Sequence, residues 1–246
     1  MDPVSADALT AAFLEFDADP EASVAVLWGE GGAFCAGWDL KYASALSDRA
    51  AFQRDIVEGL AFPTGANAAP RGPLGPTRLE LSKPVIAAVE GPAVAGGMEL
   101  ALWCDIRVLA SDAYFGVYCR RWGIPLLDGG SVRLARLVGQ GRAMEIVLTG
   151  RKVPADEALR IGMCEEVTES GGARFAAERM AQTIARFPQA AVRTDRRSIL
   201  ETYGVPVREA LRREWANGVE AHFQEGAAGA ARFASGLGRH GDFGKI

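Results

Sequence analysis

The chain has 246 residues, 49% of them hydrophobic and 24% charged, with a formal net charge of −4. That length suits one large domain, or a core with a helical appendage, and buries a substantial core. The mild acidity leaves no electrostatic footprint for nucleic acid, and the four cysteines and two histidines (His222 and His240) lack zinc-ligand spacing.

The start, Met1-Asp-Pro-Val-Ser-Ala-Asp, has neither a basic n-region nor an apolar h-region, so a cytoplasmic protein is expected. Asp2 reads as an N-cap and Pro3 as a first-turn proline, followed by Val4, Ala8, Leu9, Ala12, Phe13 and Phe16 at helical spacing. An apolar strand at 24–28 leads into Phe34-Cys-Ala-Gly-Trp-Asp-Leu-Lys41. Residues 64–76 are rich in Gly, Pro, Ala and Asn and predict a mobile loop, either functional or a surface excursion.

A second apolar strand at 85–89 opens Pro84-Val-Ile-Ala-Ala-Val-Glu-Gly-Pro-Ala-Val-Ala-Gly-Gly-Met-Glu-Leu100. The window 84–103 is long and apolar enough to raise a membrane span. Glu90, Glu99 and its Gly/Pro content argue against one, since a central carboxylate costs about 3 kcal/mol. Further strands are expected at 106–109 and 114–116, and Cys35, Cys104 and Cys164 read as single buried thiols. Helical periodicity returns at 175–187, 190–203 and 207–223, where arginines interleaved with glutamates mark a solvated helix face. The division expected is an α/β core over 1–172 and a helical region over 173–246.

Both glycine-rich stretches follow a strand and lead into a helix. Small residues there let backbone approach a ligand closely, and a helix N-terminus offers unpaired N–H groups to an anion. Two such turns converging on one oxygen make an oxyanion hole.

At these residues the sequence resembles the crotonase (enoyl-CoA hydratase/isomerase) superfamily. The first stretch is similar to its A-F-x-A-G-x-D-L/I-K loop and the second to its K-P-V-I-A-A-V-x-G-x-A-x-G-G-x-x-E-L-A segment. The likeness continues through Trp103-Cys-Asp-Ile-Arg107, Phe115-Gly116, the Gly-Gly-Ser-Val-Arg-Leu run ending at Leu134, and Ala143-Met-Glu-Ile-Val-Leu-Thr-Gly150. It implies a right-handed spiral of β-β-α turns, with C-terminal helices that assemble subunits into trimers or dimers of trimers. It also implies an acyl-CoA thioester as substrate, with no cofactor beyond that coenzyme A. Family members usually open with a β-hairpin and an N-R-P-x-x-x-N-A-type loop ahead of the helix that begins here near Pro3. The likeness therefore starts in mid-domain, and the first sheet edge is expected to lack its usual cover.

Matched residue by residue, the oxyanion donors are the N–H groups of Trp38 and Gly96. The resemblance puts Ala36, Asp39, Leu40 and Lys41 beside the coenzyme, with Asp39 as a turn-former and Lys41 facing either a phosphate or solvent. Glu99 matches the first of two hydratase glutamates. The second is absent: family enzymes read F-G-x-P-E where this chain reads Phe115-Gly-Val-Tyr-Cys119. An ordinary thiol is a poor substitute for a carboxyl acid–base group. Asp128, nine residues on, either supplies the missing carboxylate or caps a helix beginning near Ser131. The reaction implied is hydration of an enoyl thioester by Glu99 with Asp128. Isomerisation, decarboxylation, thioester hydrolysis and acyl-CoA binding without catalysis stay open as alternatives.

Overall fold

The computed structural model describes residues 1–46, 48–65 and 68–238. His240 and positions 66 and 67 of the Gly/Pro-rich stretch lie outside them.

Helix α1 (Pro3–Ala18) starts as its sequence dictates: the Asp2 carboxylate accepts from Ser5 N at 2.8 Å and Pro3 occupies the first turn. Its buried face carries Ala6 and Phe13, and Phe13 meets Trp103 edge-on at 4.9 Å. Strand β1 (Ala25–Trp28) follows, then α2 (Leu40–Ala45) and α3 (Arg49–Phe52), which continues as a π-helical segment over Gln53–Glu58. A 3₁₀ turn at Pro76–Arg78 precedes β2 (Val85–Val89), β3 (Pro92–Val94) and α4 (Gly96–Trp103). Next come β4 (Ile106–Ala110), β5 (Tyr114–Gly116) and a 3₁₀ turn at Tyr118–Trp122. They lead to α5 (Gly130–Val138), α6 (Gln140–Thr149), β6 (Lys152–Pro154), α7 (Ala155–Arg160) and β7 (Glu166–Thr168).

The strands form two sheets. One is all parallel in the order β1-β2-β4-β7, with Ile86 opposite Ile106 and Ala25 opposite Val85. The other runs β3-β5-β6, with β3 and β5 parallel. The two central windings each place one strand in the first sheet, one in the second, and then a helix. β2-β3-α4 is one such turn and β4-β5-α5 the next; in the winding before them, Cys35 bridges Ala93 of β3 and α2 follows. This is the spiral that the resemblance implies. β2 lies between two partners and is buried at all five positions, which is why it reads as an unbroken apolar run. The window 84–103 thus divides into two strands and an eight-residue helix packed in the core, and no helix among the described residues is long and apolar enough to cross a membrane.

Helix α8 (Ala173–Ala185) covers the first sheet through the small residues Ala173, Ala176 and Ala177. Glu90, at the end of β2, receives Ala173 N at 2.9 Å and so caps this helix. Helices α9 (Gln189–Thr202), α10 (Val207–Ala221) and α11 (Ala227–Ala234) follow, the last two joined through a π-helical turn. Arg196 ties α9 to the core through Asp105 at 2.8 Å and the Leu81 carbonyl at 2.6 Å.

Candidate active site

The two glycine-rich turns meet. Val94 N donates to the Cys35 carbonyl at 3.0 Å and Phe34 N to that of Pro92, which lays the first turn along the second. Gly37 has φ +90°, and a Cβ there would stand 2.9 Å from the nitrogen of Gly96. Only glycine permits that approach. Ala95, the N-cap of α4, has φ +54° and is the one non-glycine residue at positive φ among those described. Such a conformation costs on the order of 1–3 kcal/mol and here turns the chain sharply into the helix. Met98 N and Glu99 N return to the Ala95 carbonyl, whereas the N–H groups of Gly96 and Trp38 donate to no described atom. Both residues line one pocket, together with Ala36, Leu40, Glu99, Cys119 and Asp128.

Glu99 sits on α4, one turn after Gly96, and is 2% exposed. Its Oε1 accepts from Asp128 N at 2.9 Å and Gly130 N at 2.8 Å, and the carboxylate also draws on the Leu127 N–H where it lines the pocket. Burial, then the neighbouring Asp128 charge, push its carboxyl up to about 7, against the pull of those backbone donors. Asp128 is equally buried, and its Oδ1 accepts from Leu74 N at 3.0 Å and from Thr77 Oγ1. Its carboxyl is also raised by burial, opposed by the Thr77 and Leu74 hydrogen bonds and by Arg78 and Arg133. The cap reading of Asp128 gives way here: α5 begins at Gly130 with Gly129 at its N-cap, and the Asp128 side chain reaches across the chain instead.

Residues 76–231, well over half of the chain, match the family described as enoyl-CoA hydratase/isomerase. The enoyl-CoA hydratase EchA19 of Mycobacterium tuberculosis is 34% identical over 218 residues, covering 86% of this chain and 76% of that protein. The carnitinyl-CoA dehydratase of Salmonella paratyphi B is 36% identical, with the same coverage of both. This chain belongs to the crotonase family. Among solved structures of the family, enoyl-CoA hydratase EchA1 from Mycobacterium marinum superposes with a TM-score of 0.81 at 34% identity, over 95% of this chain and 86% of that one. An enoyl-CoA hydratase from Mycobacterium tuberculosis gives 0.79 at 36%, over 94% and 84%.

Within this crotonase pocket Cys119 is buried on the 3₁₀ turn after β5, and burial followed by the Glu99 charge pushes its thiol up. Asp39 and Lys41 do not line the pocket. Asp39 caps α2, accepting from Lys41 N at 2.7 Å and Tyr42 N, and Lys41 is exposed. The wall also contains residues that sequence reasoning did not single out. Pro73 and Leu74 come from the Gly/Pro-rich stretch, Tyr118 and Trp122 from the 3₁₀ turn, and Trp122 stays 66% exposed at the mouth. Aromatic residues flanking the Cys119 position were the only available signal for the last two. His222 lies on the exposed turn after α10, away from these groups.

Proposed function

We propose that this protein is an enoyl-CoA hydratase-like lyase, adding water across the conjugated double bond of an acyl-CoA thioester. The observation that carries this reading is one pocket holding two unpartnered backbone N–H groups beside two buried carboxylates. The thioester oxygen accepts from Trp38 N and Gly96 N, where enolate charge develops; a donor of this kind is worth about 3–4 kcal/mol in the transition state. Glu99, protonated up to about pH 7, is the acid, and Asp128, whose carboxylate is favoured by the Thr77 and Leu74 hydrogen bonds and the Arg78 and Arg133 charges, is the base. Water attacks the β-carbon as its proton passes to Asp128, the π electrons move onto the thioester oxygen, and the α-carbon takes the proton of Glu99. Cys119 fills the place of the second family glutamate as a neutral thiol. Ala36 and Leu40 flank the coenzyme where the first turn opens. The relatives' names support water chemistry in both directions, since one is a hydratase and the other a dehydratase.

The same reading includes assembly into a trimer or a dimer of trimers. Its support is the exposed apolar row on α9 and α10, where Ile199, Val207 and Trp215 are each more than 70% exposed.

Incubation with a panel of enoyl-CoA esters and mass analysis of the products tests the chemistry. Gain of one water that disappears in Glu99→Gln is expected. Unchanged mass with a shifted double bond replaces hydration by isomerisation, and intact ester throughout leaves binding alone.

A further inference from the structure

Asp128 is gripped from two sides by residues that belong to neither glycine turn. Thr77, 1% exposed on the 3₁₀ turn Pro76–Arg78, donates its hydroxyl to Asp128 Oδ1. Arg133, on the first turns of α5, donates from Nη1 to the Asp128 carbonyl and from Nη2 to the Thr77 carbonyl, each at 2.7 Å. The guanidinium lies over Gly129, whose φ is +90° and where a Cβ would stand 2.4 Å from Nη1. A missing side chain therefore makes the room for the cation. The peptide segment held by Arg133 is the one whose Asp128 and Gly130 nitrogens donate to Glu99 Oε1. A planar forked donor suits this task, because it fixes two carbonyls at once and keeps its charge.

We propose that Thr77 and Arg133 are positioning residues that act through Asp128 and Glu99, Thr77 orienting the Asp128 carboxylate and Arg133 holding the turn that binds Glu99. The proposal rests on the reading of those two carboxylates as the acid–base pair. The two parts of the clamp have different electrostatic reach. The Thr77 hydroxyl bonds Asp128 alone and favours its ionised form. The Arg133 charge faces both Asp128 and Glu99. The other groups around the pair are Arg78 on the Thr77 turn, Arg136 one helical turn beyond Arg133, and the thiols of Cys35, Cys104 and Cys119.

The test is the pH profile of kcat/KM, whose two limbs report the coupled pair. In Thr77→Val the acidic limb should move up by about one pH unit while the basic limb stays, since a hydrogen bond to the ionised form has been lost. Thr77→Ser, which keeps the hydroxyl, should restore the wild-type profile. In Arg133→Met both limbs should move up together, and Arg133→Lys should return part of the shift without the fork. A Thr77→Val profile that superposes on wild type, in a protein with unchanged circular dichroism, overturns the clamp even if Arg133→Met fails to fold. Asp128→Asn separates the two levels. Wild-type turnover in that variant sinks the acid–base reading itself, whereas an inactive Asp128→Asn beside an unshifted Thr77→Val sinks only the positioning role.

Discussion

The segment around β2 and α4 and the pair α9–α10 are built in opposite ways. In α4 seven of eight residues are buried, including the ionisable Glu99, and every position of β2 is out of solvent. α9 and α10 are longer, 14 and 15 residues, yet each buries only one residue, Ser198 and Ala221. Their apolar side chains point outward, with Trp215 at 74% exposure, and Phe223 just beyond α10 reaches 82%. The central segment gets its shape from its own packing, which is why it can hold a strained Ala95 and a carboxyl of raised pKa. The helices present an apolar surface that the described residues leave exposed.

Glu99→Gln attacks the centre most directly. It should lower kcat by a factor of about 10²–10⁴, because the amide keeps the shape and cannot exchange a proton. The same substitution sharpens the energetic side of the contrast. Glu99 titrates near 7 in the folded chain against an ordinary value of 4.5. A carboxyl raised on folding stabilises the protein below its unfolded value and loses that contribution as pH rises through its folded value. Melting of the wild type should therefore decline between pH 4.5 and about 7, and the Gln variant should lack that decline. Parallel melting curves for the two proteins across this window would remove the account of Glu99 as a carboxyl protonated near neutrality.

Gly130→Ala keeps both carboxyl groups and displaces that of Glu99. Its Cβ would stand 2.7 Å from Glu99 Cγ and 2.9 Å from Oε1. Displacing the side chain by about 1 Å should cost on the order of 10² in kcat. Steady-state kinetics with a melting-temperature control checks this.

Gly37→Ala puts a side chain at φ +90° against the Gly96 nitrogen. A loss of roughly 1–3 kcal/mol in denaturant-midpoint stability is expected, with a smaller fall in kcat than for Gly130→Ala. A variant as stable as wild type would show that the two turns are free to part.

The smallest effect on chemistry should come from the helices. Phe223→Glu in combination with Trp215→Glu should reduce the sedimenting mass towards that of one chain, through charge placed in an apolar contact. An unchanged mass would show that this row of side chains is not a subunit contact.

Much of this molecule was legible before folding. The Asp2–Pro3 helix start, the strand at 85–89 and the three long C-terminal helices follow from caps and periodicity, and the observed elements differ from expectation by a few residues at their ends. Among the three-residue strands β5 was legible, whereas β3, β6 and β7 were not: three positions are too few to establish an alternation, and Pro92 and Pro154 stand within β3 and β6. Asp128 marks the same boundary. One residue before a Gly-Gly pair, a cap and a reaching carboxylate look alike, and the partners that decide between them, Leu74 and Thr77, lie more than fifty residues away in the chain.

The sequence by itself determined the two glycine turns, the helix that carries Glu99 and the resemblance that names the family, because backbone conformation and helical spacing are local properties. Tertiary structure decided the rest. It set Gly37 against Gly96, buried Glu99 and Asp128 side by side, and braced them with Thr77 and Arg133. Desolvation and charge coupling depend on distances between segments that no local pattern encodes.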